Sequence, residues 1–361
     1  MSTYDAVGGL GLEVDSYELE GLELQLSDEF SRRTTVIRLR GGGQEGIGED
    51  PTYSERDQLA LQEEGPVQPL AGSHTVDGFS ELLARLNLFP LGPERDPFVN
   101  YRRWAFESAA LDLALRQAGT SLAAIVEREP RPVGFVASMR LGEPATPEPV
   151  LRWLEHNPGL RFKLDPTPTW TDWVVKELAD TGAVDILDLK GAYHGTVVDN
   201  PPDATLYARV AIAFPQAWIE DPALTPETEP VLAPHRQRIT WDAPIHSVVD
   251  ITTLPFIPLM LNMKPSRFGS VRALFEAYDY CAGRRIGLYG GGQFELGPGR
   301  GQIQYLASLF HPDAPNDVAP GVYNEGRPRG APRSPLPPAT AATGFRWETA
   351  QGRASRRTAR A

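Results

Sequence analysis

Apolar and polar positions along the chain follow two regimes that change near residue 130. In the first, period-two alternation runs through 18–26, 34–40 and a short piece before Gly46, predicting antiparallel strands with one buried face. Gly41-Gly42-Gly43 predicts a hairpin turn between two of them. Residues 101–117 repeat with helical period and place Trp104, Ala105, Leu111 and Leu115 on one face. Residues 1–130 therefore read as a small α+β domain. From about 131 onward, short apolar runs alternate with helix-like stretches such as 170–180 and 270–281. Strand ends are expected near Met139, Lys163, Asp188, Glu220, Asp242, Lys264 and Gly290, 22 to 32 residues apart. Strand-helix units of this size predict a parallel α/β architecture. Seven or eight of them within 131–320 predict a closed barrel with its chemistry at the C-terminal strand ends. The stretch 312–339 is dense in Pro and Gly, and 344–347 reads as a last strand returning to the first domain, so 321–350 is expected to pack on it. Residues 351–361 read as a disordered basic tail.

Composition narrows the choice of function. The chain has 361 residues, 41% of them hydrophobic, enough for a core, and a length that suits one barrel plus a smaller domain. The densest apolar stretch, 254–263, is broken by Pro255 and Pro258, so no membrane span is expected. The N-terminus lacks a basic segment followed by an apolar one, and a cytoplasmic location is expected. The single cysteine, Cys281, excludes an intrachain disulfide and a Cys-rich zinc site and reads as a core residue. A net charge of −12 makes nucleic acid a poor partner, despite Arg353, Arg356, Arg357 and Arg360 in the tail.

The basic residues are divided unevenly: 31 Arg against Lys163, Lys176, Lys190 and Lys264 alone. Arginine is never deprotonated in proteins, whereas lysine can serve as a base, so retained lysines attract notice. Three of the four end apolar, strand-like runs, as do Asp188, Glu220 and Asp242. Strand alternation directs these groups inward at a barrel mouth. Three converging carboxylates make an oxygen-rich, negative site suited to Mg²⁺.

The ordered motifs around Lys163, Asp188, Trp218-Ile219-Glu220-Asp221-Pro222, Trp241-Asp242 and Asn262-Met263-Lys264-Pro265-Ser266-Arg267 resemble the enolase superfamily, in its muconate-lactonizing and o-succinylbenzoate-synthase-like branch. Gly46-Ile47-Gly48-Glu49 resembles a turn of that family's capping domain, the stretch from Phe106 to Leu115 its long capping helix, and the stretch from Phe294 to Gly299 its seventh-strand motif. The resemblance implies an α+β cap over a modified TIM barrel, (β/α)7β, with Mg²⁺, or Mn²⁺ in its place, held by Asp188, Glu220 and Asp242. Lys163 and Lys264 would face each other across a small carboxylic-acid substrate, one taking the proton next to its carboxylate and the other stabilising charge or returning the proton. Like-charge repulsion from the metal would favour their neutral, basic forms. Arg161, Lys190, Glu295 and Asp317 would contact the substrate or support the site. The implied chemistry is proton abstraction through a metal-stabilised enediolate, followed by β-elimination, cycloisomerisation or epimerisation. A barrel that has lost chemistry and binds small acids is the alternative reading.

Departures from the family pattern are specific. Its Lys-x-Lys on the second strand becomes Arg161-Phe162-Lys163; a register two residues later would pair Lys163 with Asp165 and remove that base. Lys190 stands where the family commonly has Asn, and Ala243 where an acidic residue follows Asp242. Substrate choice is expected in cap loops 27–33 and 46–56 and near Asn316 and Asp317. Gly-rich turns at 290–292 and 297–301 offer a phosphate cradle, though steric reasons alone explain such turns. His194 and His246 read as loop hydrogen-bonders near the mouth. A closed symmetric homo-oligomer is the default expectation.

Overall fold

The structure is a computed structural model and describes residues 2–26, 31–193, 195, 199–324, 326 and 328–348. The expected tail 351–361, His194 and part of the 27–33 loop lie outside the described residues. Among the described residues the N-terminal region holds five strands: β1 (Gly11–Val14), β2 (Ser16–Gln25), β3 (Ser31–Gly41), β4 (Gln44–Asp50) and β5 (Gly72–Thr75). Strands β2, β3 and β4 form an antiparallel sheet in that order, and β1 pairs antiparallel with β5. Gly41 pairs with Gln44 across a two-residue turn in which Gly42 and Gly43 have φ of 53° and 70°, a double left-handed turn that favours glycine.

The third strand departs from expectation. It does not end before Gly46 but runs through it, and Gly46-Ile47-Gly48-Glu49 is strand rather than turn. The reason is close packing on the helix Phe98–Gln117. A Cβ on Gly46 would lie 2.2 Å from the Ala109 carbonyl oxygen and one on Gly48 2.0 Å from that of Ala105, so the bare backbone lets sheet and helix meet. The helix itself is buried on more than the one expected face. Trp104, Leu111 and Leu115 belong to the barrel's core, whereas Ala105, Ala109 and Leu113 belong to the core beneath the cap sheet.

Seven parallel strands follow: β6 (Val136–Met139), β7 (Arg161–Leu164), β8 (Val184–Asp188), β9 (Trp218–Glu220), β10 (Ile239–Thr240), β11 (Met260–Met263) and β12 (Gly287–Gly290). β6 to β10 are neighbours in sequence order, and β11 pairs with β12. The Asn262 N–H donates to the Trp241 carbonyl at 3.0 Å, joining the two sets. Closure falls to Asn316 and Asp317. Asp317 N–H donates to Gly290 at 2.8 Å and Val136 N–H to Asn316 at 2.9 Å, a two-residue eighth strand lying parallel to both neighbours. Helices connect the strands, including Asp172–Asp180 capped by Thr171 and Val271–Arg284 capped by Ser270. The fold is the α/β (β/α)7β barrel with an α+β cap.

Inside the barrel, Val136, Ile186 and Tyr289 form an apolar plug below the mouth. Cys281 is buried in the layer between strands and helices, as expected of a core residue. The segment after the barrel does not all pack on the cap: Tyr323 stacks on Trp153 and Leu336 pairs with Val133, both in the barrel. Only its end reaches the cap, through an isolated bridge rather than a strand, where Gly344 pairs with Ser121 and Asp112 accepts from the Phe345 N–H at 2.7 Å and from Arg346 Nε at 2.7 Å.

Candidate active site

Each barrel strand that ends in a charged residue delivers it to the same place. Asp188 is the last residue of β8 and Glu220 of β9, Asp242 follows β10 by two residues, and Lys264 follows β11 by one. Asp188, Glu220 and Asp242 have no solvent exposure, and one oxygen from each lies within 4.8 Å of the others. Lys163, on β7, reaches into this ring: its Nζ lies 2.5 Å from Glu220 Oε1, 3.0 Å from Asp188 Oδ2 and 3.6 Å from Asp317 Oδ2. Lys264 Nζ lies 2.8 Å from Asp242 Oδ2. Lys163 and Lys264 come from the second and sixth strands of an eight-strand ring, four places apart and so on opposite sides. Lys190 Nζ lies 2.5 Å from Asp188 Oδ2.

Two of the expected residues are not brought into the ring. Arg161 stands at the start of β7, the opposite end from the mouth. It pairs with Asp185 and lines a cleft of about 300 Å³ with Trp218, Asp313 and Ser334. An arginine two residues before an inward residue near the mouth points inward too, but roughly 7 Å lower at strand rise. Glu295 accepts the Gln293 N–H at 2.8 Å and lies 3.8 Å from Arg300, beside the cap junction.

Several side chains complete the site that sequence reasoning missed. Tyr289 donates to Glu220 Oε2 at 2.5 Å and Asn262 Nδ2 to Glu220 Oε1 at 3.3 Å. Arg267 Nε donates to Asp242 Oδ1 at 3.1 Å and Tyr193 Oη to Asp242 Oδ2 at 2.9 Å. Asp221, held at φ 46°, accepts the Asp242 and Ala243 N–H groups at 2.8 Å each and so fixes the turn that presents Asp242. The signals were slight: Arg267 lies in the Lys264 motif, and Tyr289 shares an inward strand position.

The ring's electrostatics follow from burial set against charge. Burial works against ionisation of Asp188, but the Lys163 and Lys190 ammoniums outweigh it and hold its carboxyl well below the usual range. For Asp242, burial is likewise overcome, by Arg267 and Lys264. Burial lowers the Lys163 ammonium's pKa, yet Asp188 and Glu220 raise it further, and the net direction is well above the usual lysine value. In the protein alone, then, Lys163 is held protonated, the reverse of what is expected beside a divalent cation.

The turn at 297–301, weighed above as a phosphate cradle, is filled from within. Glu49 accepts the N–H groups of Leu296 at 2.6 Å, Gly297 at 2.9 Å and Gly299 at 2.9 Å, so the helix Pro298–Phe310 meets a carboxylate of its own chain. Asn316 is fully buried and structural, while the Asp317 side chain is partly exposed. His246 bonds the Pro244 carbonyl at 3.2 Å, an ordinary loop contact.

The donor set tests for a metal ion by its chemistry. It is made of oxygen alone, from three buried carboxylates on successive strands, and these fit a hard divalent cation such as Mg²⁺. Among the described residues no helix is long and apolar enough to cross a membrane.

Comparison with known structures bears on the architecture. A probable mandelate racemase from Alicyclobacillus acidocaldarius is 19% identical, with 96% of this chain and 97% of that chain covered at a TM-score of 0.64. The muconate cycloisomerase from Pseudomonas fluorescens is 18% identical over 96% and 98% of the two chains, with a TM-score of 0.63. A dipeptide epimerase from Methylococcus capsulatus, complexed with Mg ion, is 18% identical over 82% and 85%, with a TM-score of 0.60. None of the curated proteins compared with the chain matches it. Two halves of a domain of unknown function, DUF8230, do match: its N-terminal domain over residues 5–125 and its C-terminal domain over 129–325. The chain belongs to the DUF8230 family, and its fold is that of the enolase superfamily.

Proposed function

We propose that the protein is an enzyme that removes a proton next to the carboxylate of a small acid, with Mg²⁺ held by Asp188, Glu220 and Asp242. The observation that carries this reading is the pair of lysines on opposite sides of a buried three-carboxylate ring. When bound, the cation supplies Lewis-acid stabilisation of the charge that develops on the substrate carboxylate. Lys163 and Lys264 take and return the proton at their Nζ atoms, from opposite faces of the substrate carbon. Tyr289 and Asn262 hold Glu220 in place, and Arg267, with Tyr193, holds Asp242. Asp317 is the carboxylate to which Lys163 can turn when its partners are engaged by the cation. Two opposed bases suit epimerisation most directly; β-elimination and cycloisomerisation need only one of them.

The test is exchange in D₂O with Mg²⁺ over a panel of small carboxylic acids, read by mass spectrometry. The wild type incorporates deuterium next to the carboxylate of at least one acid. Lys163→Ala and Lys264→Ala each lose incorporation of one stereochemical course by at least ~100-fold. Undiminished exchange in both variants sinks the assignment. The second reading, a barrel that binds acids without chemistry, is favoured by Lys190, whose ammonium lies 2.5 Å from Asp188 Oδ2 in the carboxylate ring. It predicts acid binding with no exchange at all.

A further inference from the structure

Lys190 is wrapped around Asp188 more closely than its place in a loop requires. Its backbone is left-handed, φ 56°, a conformation that a lysine adopts at a cost. That turn lets one residue cover both oxygens of the carboxylate two positions earlier. The Lys190 N–H donates to Asp188 Oδ1 at 3.2 Å, and its Nζ lies 2.5 Å from Oδ2. Lys163 Nζ lies 3.0 Å from the same Oδ2. Two ammoniums thus crowd the same oxygen, and a cation binding Asp188 through Oδ2 has to displace one of them.

A second place for that ammonium is already built. Asp165 Oδ1 is buried, accepts no hydrogen bond, and lies 3.7 Å from Lys190 Nζ. A shift of about 1 Å brings the pair to the usual charge-assisted distance. A buried carboxylate oxygen with no donor is costly unless a partner arrives. We propose that Lys190 is a tethered competitor of the divalent cation at Asp188 and moves onto Asp165 when the cation binds. Metal uptake is then coupled to a lysine swing, and the affinity of the site is set by the balance between the two carboxylates. The inference rests on Asp188, Glu220 and Asp242 being metal ligands.

Calorimetric titration of the metal-free protein with MgCl₂ alone tests it. Lys190→Asn, which removes the ammonium and keeps a residue tolerant of the left-handed backbone, binds Mg²⁺ about tenfold more tightly than the wild type. Asp165→Asn, which removes the receiving charge, binds it several-fold more weakly, and the same change in the Lys190→Asn background leaves the dissociation constant unaltered. Thermal melts confirm that each variant is folded, and either single variant suffices if the other is not. Equal Mg²⁺ affinity in wild type and variants overturns the swing while the metal site stands. No Mg²⁺ binding by the wild type or Lys190→Asn at millimolar concentration overturns the metal site, and the swing with it.

Discussion

Asp242 has donors on every side, and the most confined of them is Arg267. Its side chain is 6% exposed, its Nε donates to Asp242 Oδ1 at 3.1 Å and its Nη2 to Tyr193 Oη at 2.9 Å. Removing one partner of a buried charge pair leaves the other without compensation, at roughly 3 kcal/mol. Arg267→Met is expected to lose about that much in urea unfolding of the metal-free protein at neutral pH. Arg267→Lys recovers only part, because a point charge cannot span Asp242 and Tyr193 together. An unchanged urea midpoint for Arg267→Met would show that Lys264 alone neutralises Asp242. The ring's carboxylates and lysines were legible in the sequence because each ends an apolar run. Arg267, Tyr289 and Asn262 were not: their roles depend on partners from other strands, and no local pattern carries that pairing. Arg161 was misplaced for a related reason, since strand alternation gives the direction of a side chain but not its depth in the barrel.

The same division between local and non-local signals holds for the elements. Seven barrel strands show in the alternation because each has its own apolar run, whereas the eighth is two residues long and exists only through pairing. Its position near Asn316 came from the resemblance. The strand is kept in place by His311, whose Nδ1 bonds Asn316 Oδ1 at 2.6 Å and whose Nε2 faces Tyr278 Oη at 3.3 Å. Asn316 Oδ1 also accepts the Gly290 N–H at 2.6 Å, so it is an acceptor and His311 donates from Nδ1. Burial lowers its pKa to about 4. The unfolded chain takes up that proton near 6.5, so the stability His311 supplies is complete above that pH and is lost as pH falls toward 4, on the order of 3 kcal/mol. His311→Gln should flatten this acid limb while lowering stability at pH 7; an acid limb of unchanged slope in the variant removes His311 as its source. On the cap side, the Gly48 contact with the helix is just as specific. Gly48→Ala forces a Cβ to within 2.0 Å of the Ala105 carbonyl and should cost about 3 kcal/mol in chemical denaturation, whereas Gly9→Ala, with nothing within 4 Å, should stay near neutral.

Cap and barrel share more than a boundary at the scale of the whole molecule. The helix Phe98–Gln117 contributes Trp104 and Leu111 to the barrel core and Ala109 and Leu113 to the cap core, so neither core is complete without it. Arg32, fully buried, donates to the carbonyls of Pro51 and Thr52 in the cap and of Gln293 in the barrel at 2.7 to 2.9 Å. Glu49 spans the same junction to Leu296 and Gly297. A cut between the two units would expose a shared helix and strand buried charges, and this favours cooperative unfolding over stepwise loss. All three carboxylates of the proposed metal site belong to the barrel, which makes Mg²⁺ a probe of that cooperativity. A ligand that binds only the folded state adds about 2.7 kcal/mol at a hundredfold excess over its dissociation constant. In scanning calorimetry the protein is expected to show one transition that Mg²⁺ moves upward as a whole, and Glu220→Gln to show one transition that Mg²⁺ leaves in place. Two peaks, with only one of them responding to Mg²⁺, would mean that the shared helix does not bind the cap's stability to the barrel's.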